Sequence, residues 1–311
     1  MNAAPKHLRT MHSFYEATAR QRIAGLLDQG SFREILGPRA RITSPHLPKL
    51  DAPTAFDDGV VIGSGALDGQ SVLIAAQEGS YMGGAVGEVH GAKIIGLLRR
   101  AVRQRSGGSS PRAVLLLIDS GGVRLHEANA GLIAISEIMR AVLDARAAGI
   151  PVLGLIGGAT GAFGGMGIVA RLCTALVMSE EGRLALSGPE VIETVAGVEE
   201  FDARDRALVW RVTGGKHRYL IGDCDAIVGD DIAAFRQATI DLLPKLDTAA
   251  LGLPQLKARH AALVARQERF AGMRDGLDVW NALGVNDPAA VPMLEAADFV
   301  QAAQAVRAPS E

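Results

Sequence analysis

The 311-residue sequence predicts an α/β fold in which ββα units follow one another in a spiral, with further helices packed around it. Three observations carry that expectation. Hydrophobic residues make up 48% of the chain and aromatic ones only 4%, so the core has to be built of Ala, Val, Leu and Ile, a composition suited to helices lying close on a sheet. Apolar runs of strand length alternate with longer stretches whose apolar residues fall at helical spacing. The junction of strand, glycine loop and helix occurs three times, at Gln77–Gly84, Ile118–Val123 and Thr160–Gly167.

Each element follows from local chemistry. Residues 14–29 read as an amphipathic helix ending at Gly30, followed by a short Phe32–Leu36 segment. Pro38, Pro45, Pro48 and Pro53 make 37–58 extended and irregular. Val60–Ala66 and Ser71–Gln77 read as strands joined by a turn at Asp68–Gly69. A helix runs from Val86 to Arg103, its basic end suiting the dipole. After the Gly-Gly-Ser-Ser-Pro linker at 107–111, the apolar run Ala113–Asp119 reads as a buried strand. Then come a helix over 127–148, a strand at Pro151–Ile156, a short helix from 164, and strands at Ala175–Met178 and Leu184–Leu186. Pro189 falls where a helix's first turn tolerates proline. Helices are expected over 202–212 and 230–243 with a polar strand pair between them, and 252–311 reads as largely helical. The chain thus divides into an N-terminal helix and arm (1–58), a core (59–250) and a C-terminal helical extension (251–311).

The formal charge of −2 and pI near 6.4, with Lys and Arg scattered, argue against a nucleic-acid or anionic-membrane surface. No apolar run reaches membrane-spanning length, and Met1–Ser13 lacks the apolar core of a secretory signal, so a cytoplasmic protein is expected. Cys173 and Cys224 are too few and too far apart for a tetrathiolate zinc site or a disulfide framework; no metal is expected.

The glycine loops carry the chemistry. A glycine pair before a helix lets backbone N–H groups approach one acceptor closely, and the helix dipole favours negative charge there. Two such loops facing one another, Gly121-Gly122 and Gly164-Gly165, would clamp a single oxygen as an oxyanion hole and stabilise a thioester enolate. The bland alternative is that glycine pairs after buried strands simply let helices pack closely. Neither a P-loop nor a dinucleotide GxGxxG pattern is present.

At these loops the sequence resembles a known family. Ser120-Gly121-Gly122-Val123-Arg124-Leu125-His126-Glu127 resembles the SGGAR-x-x-E stretch of the carboxyltransferases of biotin-dependent acyl-CoA carboxylases. Ala19-Arg20-Gln21-Arg22-Ile23, with Leu26-Leu27-Asp28 and Gly30-Ser31-Phe32, is similar to that family's ARERI-x-x-LLD-x-GSF. Tyr81-Met82-Gly83-Gly84-Ala85-Val86-Gly87 resembles FMGGSMG, and Ser187-Gly188-Pro189-Glu190-Val191-Ile192-Glu193 resembles GP-x-VIE. The ordered matches span residues 19 to 245, about three quarters of the chain. Two departures refine the resemblance: there is no four-cysteine zinc ribbon, and the chain is one carboxyltransferase half. Gly214–Tyr219 and Gly222–Ala226 look most like the β-type subunits of the biotin-independent malonate decarboxylase branch.

That resemblance implies a crotonase-like fold and an obligate pairing with a homologous γ subunit. It implies decarboxylation of a malonyl thioester on an acyl carrier protein, with an acyl-transferase subunit in the same complex. The thioester carrier would be a phosphopantetheine-type arm, or CoA; no cofactor is bound directly. Backbone N–H groups of Gly121, Gly122, Gly164, Gly165 and Met166 are the expected oxyanion donors. Gly83, Gly84, Val123, Arg124 and His126 are expected to face the substrate. Each has a rival role. Met82–Gly84 serves helix packing equally well, Arg124 more readily ties its loop to Glu127, and His126 is either a proton donor or a solvated helix-start residue. Tyr81, Glu88 and His90 are weaker candidates of the same kind. His217, between Lys216 and Arg218, is expected to contact the acidic carrier, and Cys173 to be a buried core residue. Competing assignments are a carboxybiotin-dependent carboxyltransferase half, a stand-alone crotonase and a non-catalytic carrier-binding scaffold.

Overall fold

A computed structural model describes residues 12–51, 59–248 and 252–308; Pro53, most of Met1–Ser13 and the boundaries near 58 and 250 lie outside the described residues. One seven-stranded sheet forms the frame, its strands in plain sequence order: β1 (Arg33–Ile35), β2 (Val60–Leu67), β3 (Gln70–Gln77), β4 (Ala113–Ile118), β5 (Val152–Ile156), β6 (Ala175–Ser179) and β7 (Ala226–Val228). β1, β2 and β3 pair antiparallel, and β3 through β7 run parallel. Asp68 and Gly69, both at positive φ, make the tight β2–β3 turn, as their sequence predicts.

Strand alternation divides the core in two. Val60, Ile62, Leu73, Ala75, Val114, Leu116, Ile118, Val152 and Ile156 face one side, and there they meet α2 (Glu88–Ser106), α3 (Ala130–Ala147) and α4 (Gly164–Leu172). The intervening Val61, Val72, Ile74, Ala76, Leu115, Leu117, Leu153 and Leu155 face the other side. There α1 (Ala19–Leu26) and α8 (Ile232–Leu242) cover them, with Phe14 stacked on Phe235 at 4.0 Å. Both faces are covered, which is why the central strands are apolar at every position.

Beyond the strand ends, isolated parallel bridges join Val86 to Val123, Ser120 to Ala162, and Ala162 to Leu184. These supply the second, short β element of each expected ββα unit. The helix expected over 14–29 is shorter: it begins at Ala19, where Thr18 and Gln21 form a reciprocal capping box. Leu184–Leu186 contributes a single bridge rather than a strand.

The polar strand pair expected after residue 212 is not formed. α6 (Arg206–Thr213) runs into α7 (Gly215–Leu220), and only β7 follows. A side chain at Gly215 would overlap the Ser179 carbonyl, so this helix starts hard against the end of β6, and tertiary packing overrides the local pattern. α5 (Pro189–Ala196) has Pro189 in its first turn as expected, and the C-terminal segment is helical: α9 (Leu253–Arg269), α10 (Gly276–Leu283) and α11 (Ala296–Ala303). Among the described residues no helix is long and apolar enough to cross a membrane.

Candidate functional site

The loops leaving β3, β4 and β5 gather at the carboxyl ends of the parallel strands, where open α/β sheets hold their ligands. Backbone bonds lock them together. Gly121 N–H donates to the Gly83 carbonyl at 2.8 Å, Ser120 N–H to Gly161 at 2.6 Å, and Phe163 N–H to Ser120 at 2.9 Å. The two glycine loops touch. A Cβ on Gly122 would lie 3.4 Å from the Gly164 Cα, and one on Gly164 would lie 3.2 Å from the Gly122 Cα. Both residues adopt left-handed φ (122° and 55°), so glycine is required there for conformation as well as for space.

The hydrogen bonds sort the expected donors. Gly121 N–H is taken by Gly83, Gly122 N–H by the Ser120 hydroxyl at 3.1 Å, and Gly164 N–H by the Leu186 carbonyl at 2.8 Å. These three are not available to a substrate oxygen, a correction to the sequence expectation with a plain cause: loops this closely packed bond to one another first. Gly165 and Met166 stand differently. They occupy the first turn of α4, where N–H groups have no intrahelical acceptor, and among the described residues neither has another. Val123, expected from the sequence to face the substrate but not as a donor, adds a third N–H without an acceptor among the described residues. In the Val86–Val123 bridge, Val86 N–H bonds to Gly122 and Arg124 N–H to Val86, so Val123 N–H turns to the opposite edge, where Ser120 pairs with Gly161 and Phe163. The gathered loops therefore present the N–H groups of Val123, Gly165 and Met166.

Asp119, at the end of β4, holds the arrangement and was given no role from sequence. Its carboxylate accepts Thr160 N–H at 2.8 Å and Gly161 N–H at 3.2 Å, fixing the loop that leads into α4. Arg22 of α1 balances its charge at 2.9 Å, each side chain only 3% exposed, while Arg22 Nε donates to the Phe14 carbonyl. The signal that could have found it was chemical: a carboxylate closing a buried strand needs a partner, and Arg22 sits in the N-terminal motif.

The substrate-facing expectations divide. Arg124 is buried and pairs with Glu127 at 3.1 Å, both side chains fully enclosed, and donates to the Ala85 carbonyl; its rival role as a loop tie is the observed one. A Cβ on Gly84 would overlap the Asp119 carbonyl, so Gly84 serves packing, whereas Gly83 is exposed with open space beside it. His126 is exposed beside the loop. His90 is buried against Gln77 at 3.0 Å, and burial holds its pKa well below the usual histidine value. Tyr81 packs under the Arg124 guanidinium at 5.5 Å, and Glu88 pairs with His46 at 3.0 Å.

His217 overturns its expectation. It is buried, accepts the Trp280 indole N–H at 3.2 Å, and is held by burial at a pKa of about 3; it offers nothing to a carrier protein. Cys173 is buried as expected, its thiol pushed up to about 12 by burial. No cluster of three or more potential metal ligands occurs among the described residues.

Known proteins resemble this chain over most of its length. Residues 12–254 match the carboxyl transferase domain. The malonyl-S-ACP:biotin-protein carboxyltransferase of Malonomonas rubra is 39% identical over 309 residues, covering 95% of this chain and 97% of that one. The propionyl-CoA carboxylase beta chain of Saccharopolyspora erythraea is 32% identical over 234 residues, 75% of this chain but only 40% of that one. A subunit of the Pseudomonas malonate decarboxylase hetero-tetramer, solved with malonate, superposes with a TM-score of 0.79 and 41% identity over 87% of this chain and 96% of that one. The fold is crotonase-like, its relatives are enzymes acting on carboxyl groups, and the chain is a member of the carboxyl transferase family.

Proposed function

We propose that this chain is the β-type subunit of a malonate decarboxylase. With a homologous γ subunit it converts a malonyl thioester on an acyl carrier protein to the acetyl thioester. One observation carries the reading: the Gly122–Gly164 junction, where two loops touch and the N–H groups of Val123 on one side and Gly165 and Met166 on the other have no acceptor among the described residues. In the reaction the bond between the carboxylate carbon and the methylene carbon breaks, carbon dioxide leaves, and the electron pair is held as an enolate. Val123, Gly165 and Met166 N–H groups receive the thioester oxygen as its charge grows. Losing one such donor typically raises the barrier by about 3–4 kcal/mol. The carbanion then takes one proton, from solvent, from exposed His126 or from the partner subunit. Because the departing carboxylate generates the charge itself, donors already in place supply most of the acceleration.

The partner reading has support on the surface. Leu125, Leu132, Ile133, Leu186, Val191 and Val195, on and beside the glycine loops, α3 and α5, are all more than half exposed, as at surfaces that another protein covers. The acyl-transferase and carrier subunits complete the proposed complex, in the cytoplasm.

The test is decarboxylation of malonyl carrier by the complex assembled with its γ subunit. Gly165→Val places a branched side chain where even Cβ would lie 2.8 Å from Ile135, displacing the α4 terminus. Turnover should fall at least a hundredfold while the complex still assembles. Wild-type turnover in that variant would leave only a scaffold role. A second reading, carboxyl transfer to a biotin protein, is favoured by the name of the Malonomonas relative. Sensitivity of decarboxylation to avidin, with carboxybiotin formed, would select it.

A further inference from the structure

Arg183 follows β6 on a turn closed by Gly182 N–H to the Ser179 carbonyl at 3.1 Å. A Cβ on Gly182 would overlap the Ile156 carbonyl, so this turn rests on the end of β5. Its backbone is stitched to the loop that leads into α4: Ala162 N–H donates to the Arg183 carbonyl at 2.8 Å, and Ala185 N–H to the Ala162 carbonyl at 3.2 Å. The Arg183 side chain then reaches back over that loop. Nη2 donates to the Ala159 carbonyl and, at 3.3 Å, to the Thr160 carbonyl. The guanidinium lies over the rings of Phe163 at 5.6 Å and Trp210 at 5.2 Å, the kind of stacking that a planar, delocalised cation makes. Among the described residues it meets no carboxylate within ion-pair distance, and its Nε is buried without an acceptor. The charge is directed at backbone carbonyls alone.

The same two peptide units are held from their other ends. The Ala159 carbonyl shares a planar peptide with Thr160 N–H, and the Thr160 carbonyl shares one with Gly161 N–H. Asp119 accepts both of those N–H groups, at 2.8 and 3.2 Å. Each peptide dipole therefore has its positive end on a carboxylate and its negative end on a guanidinium. Arg22 completes the alternation of charge behind Asp119. Hydrogen bonds with one ionised member are about twice as strong as neutral ones, so both peptides are fixed against rotation. They lie just before Phe163, the residue that caps α4 and packs on the same guanidinium. We propose that Arg183 is a positioning residue: with Asp119 it clamps these two peptides by both ends and so sets where α4 presents the Gly165 and Met166 N–H groups. The assignment rests on the function proposed above.

Arg183→Met keeps an unbranched stem against the two rings but removes the charge and the donors. In the complex assembled with its γ subunit, kcat for malonyl-carrier decarboxylation should fall about a hundredfold, as for reacting groups misplaced by about 1 Å, with little change in KM. An unchanged kcat overturns the proposal. Arg183→Lys still offers a charged donor to the two carbonyls and should recover most of the loss; an equal loss in both variants would assign the effect to the ring contacts and overturn it as well. Combined with Asp119→Asn, the loss in Arg183→Met should not multiply, because releasing either end already frees the same peptides. Losses that multiply would show two independent contacts and refute the clamp. Hydrogen exchange at Thr160 and Gly161 gives a reading free of activity, since Asp119 remains as their acceptor in Arg183→Met. Both amides should exchange about tenfold faster, and unchanged protection would refute the clamp. If the wild-type complex turns over no malonyl thioester, the functional reading fails by itself and exchange alone judges the clamp. Arg183→Gln takes the place of Arg183→Met in each measurement if the latter does not fold.

Discussion

Asp119→Asn tests the link between the buried ion pair and catalysis. The substitution keeps the size and one carbonyl oxygen but removes the charge that Arg22 faces at 2.9 Å, with both side chains 3% exposed. Breaking a buried pair from one side typically costs about 3–5 kcal/mol, because the remaining charge is left uncompensated. For a chain of 311 residues, at about 2.1 cal/mol/K of unfolding entropy per residue, that lowers the melting temperature by about 5–8 °C. The second effect is local. Thr160 and Gly161 N–H both bond to one carboxylate oxygen, at 2.8 and 3.2 Å, while Arg22 takes the other. The single amide oxygen of Asn cannot serve both sides. Where it turns to Arg22, its NH2 faces the two N–H groups, the loop into α4 loses its pin and the Gly165 and Met166 donors shift. Misplacing one oxyanion donor corresponds to about a hundred- to a thousandfold in kcat. Melting by circular dichroism and decarboxylation by the assembled complex read the two effects separately, below the variant's melting range. Combining Arg22→Met with Asp119→Asn should destabilise less than the sum of the two, by about 1–3 kcal/mol, since the stranded charge is gone. Melting unchanged in Asp119→Asn would refute the energetic reasoning; lowered melting with wild-type kcat would show that Asp119 does not position the donors.

Three further outcomes follow from the geometry. Gly84→Ala should abolish soluble protein, since its Cβ would overlap the Asp119 carbonyl, whereas Gly83→Ala, left-handed but open, should lower stability by only about 1–2 kcal/mol; expression and thermal melting decide. His217 titrates near 3 when folded and near 6.5 when unfolded, so between those values the unfolded chain binds a proton that the folded one refuses. Stability should therefore fall as pH drops below about 6.5, by about 1.4 kcal/mol per unit from this residue, and His217→Gln, which still accepts from Trp280, should make the melting profile less steep down to about pH 4.5, leaving the slope that buried His90 contributes in the same direction. Cys173 and Cys224 are buried thiols with raised pKa, so neither should react with a maleimide at mildly alkaline pH until guanidinium unfolds the chain; labelling of the folded protein would contradict their placement.

The sequence by itself determined the frame. The apolar runs at 60–66, 71–77, 113–119 and 151–156 are strands because no polar alternation lets either sheet face meet water, and the three glycine loops fall at the strand ends as their composition demands. Glycine pairs also marked the two loops that meet, since only they allow the approach seen between Gly122 and Gly164. What the pattern could not supply was the allocation of each N–H and each charge. Gly121, Gly122 and Gly164 lose their donors to Gly83, Ser120 and Leu186, partners as far as 38 residues away in the chain, and no local pattern records such a bond. The tie of Arg124 to Glu127, three residues on, was legible, but His217 and Asp119 were not: such a residue is functional or structural according to which distant group it meets, Trp280 for one and Arg22 for the other. Helix α7 formed where strands were expected, because a helix start at Gly215 fits against Ser179 and a strand pair's local preference is worth less than that packing. Local chemistry chose the elements; long-range contacts, formed only when the spiral closes, decided which donors remain for a ligand.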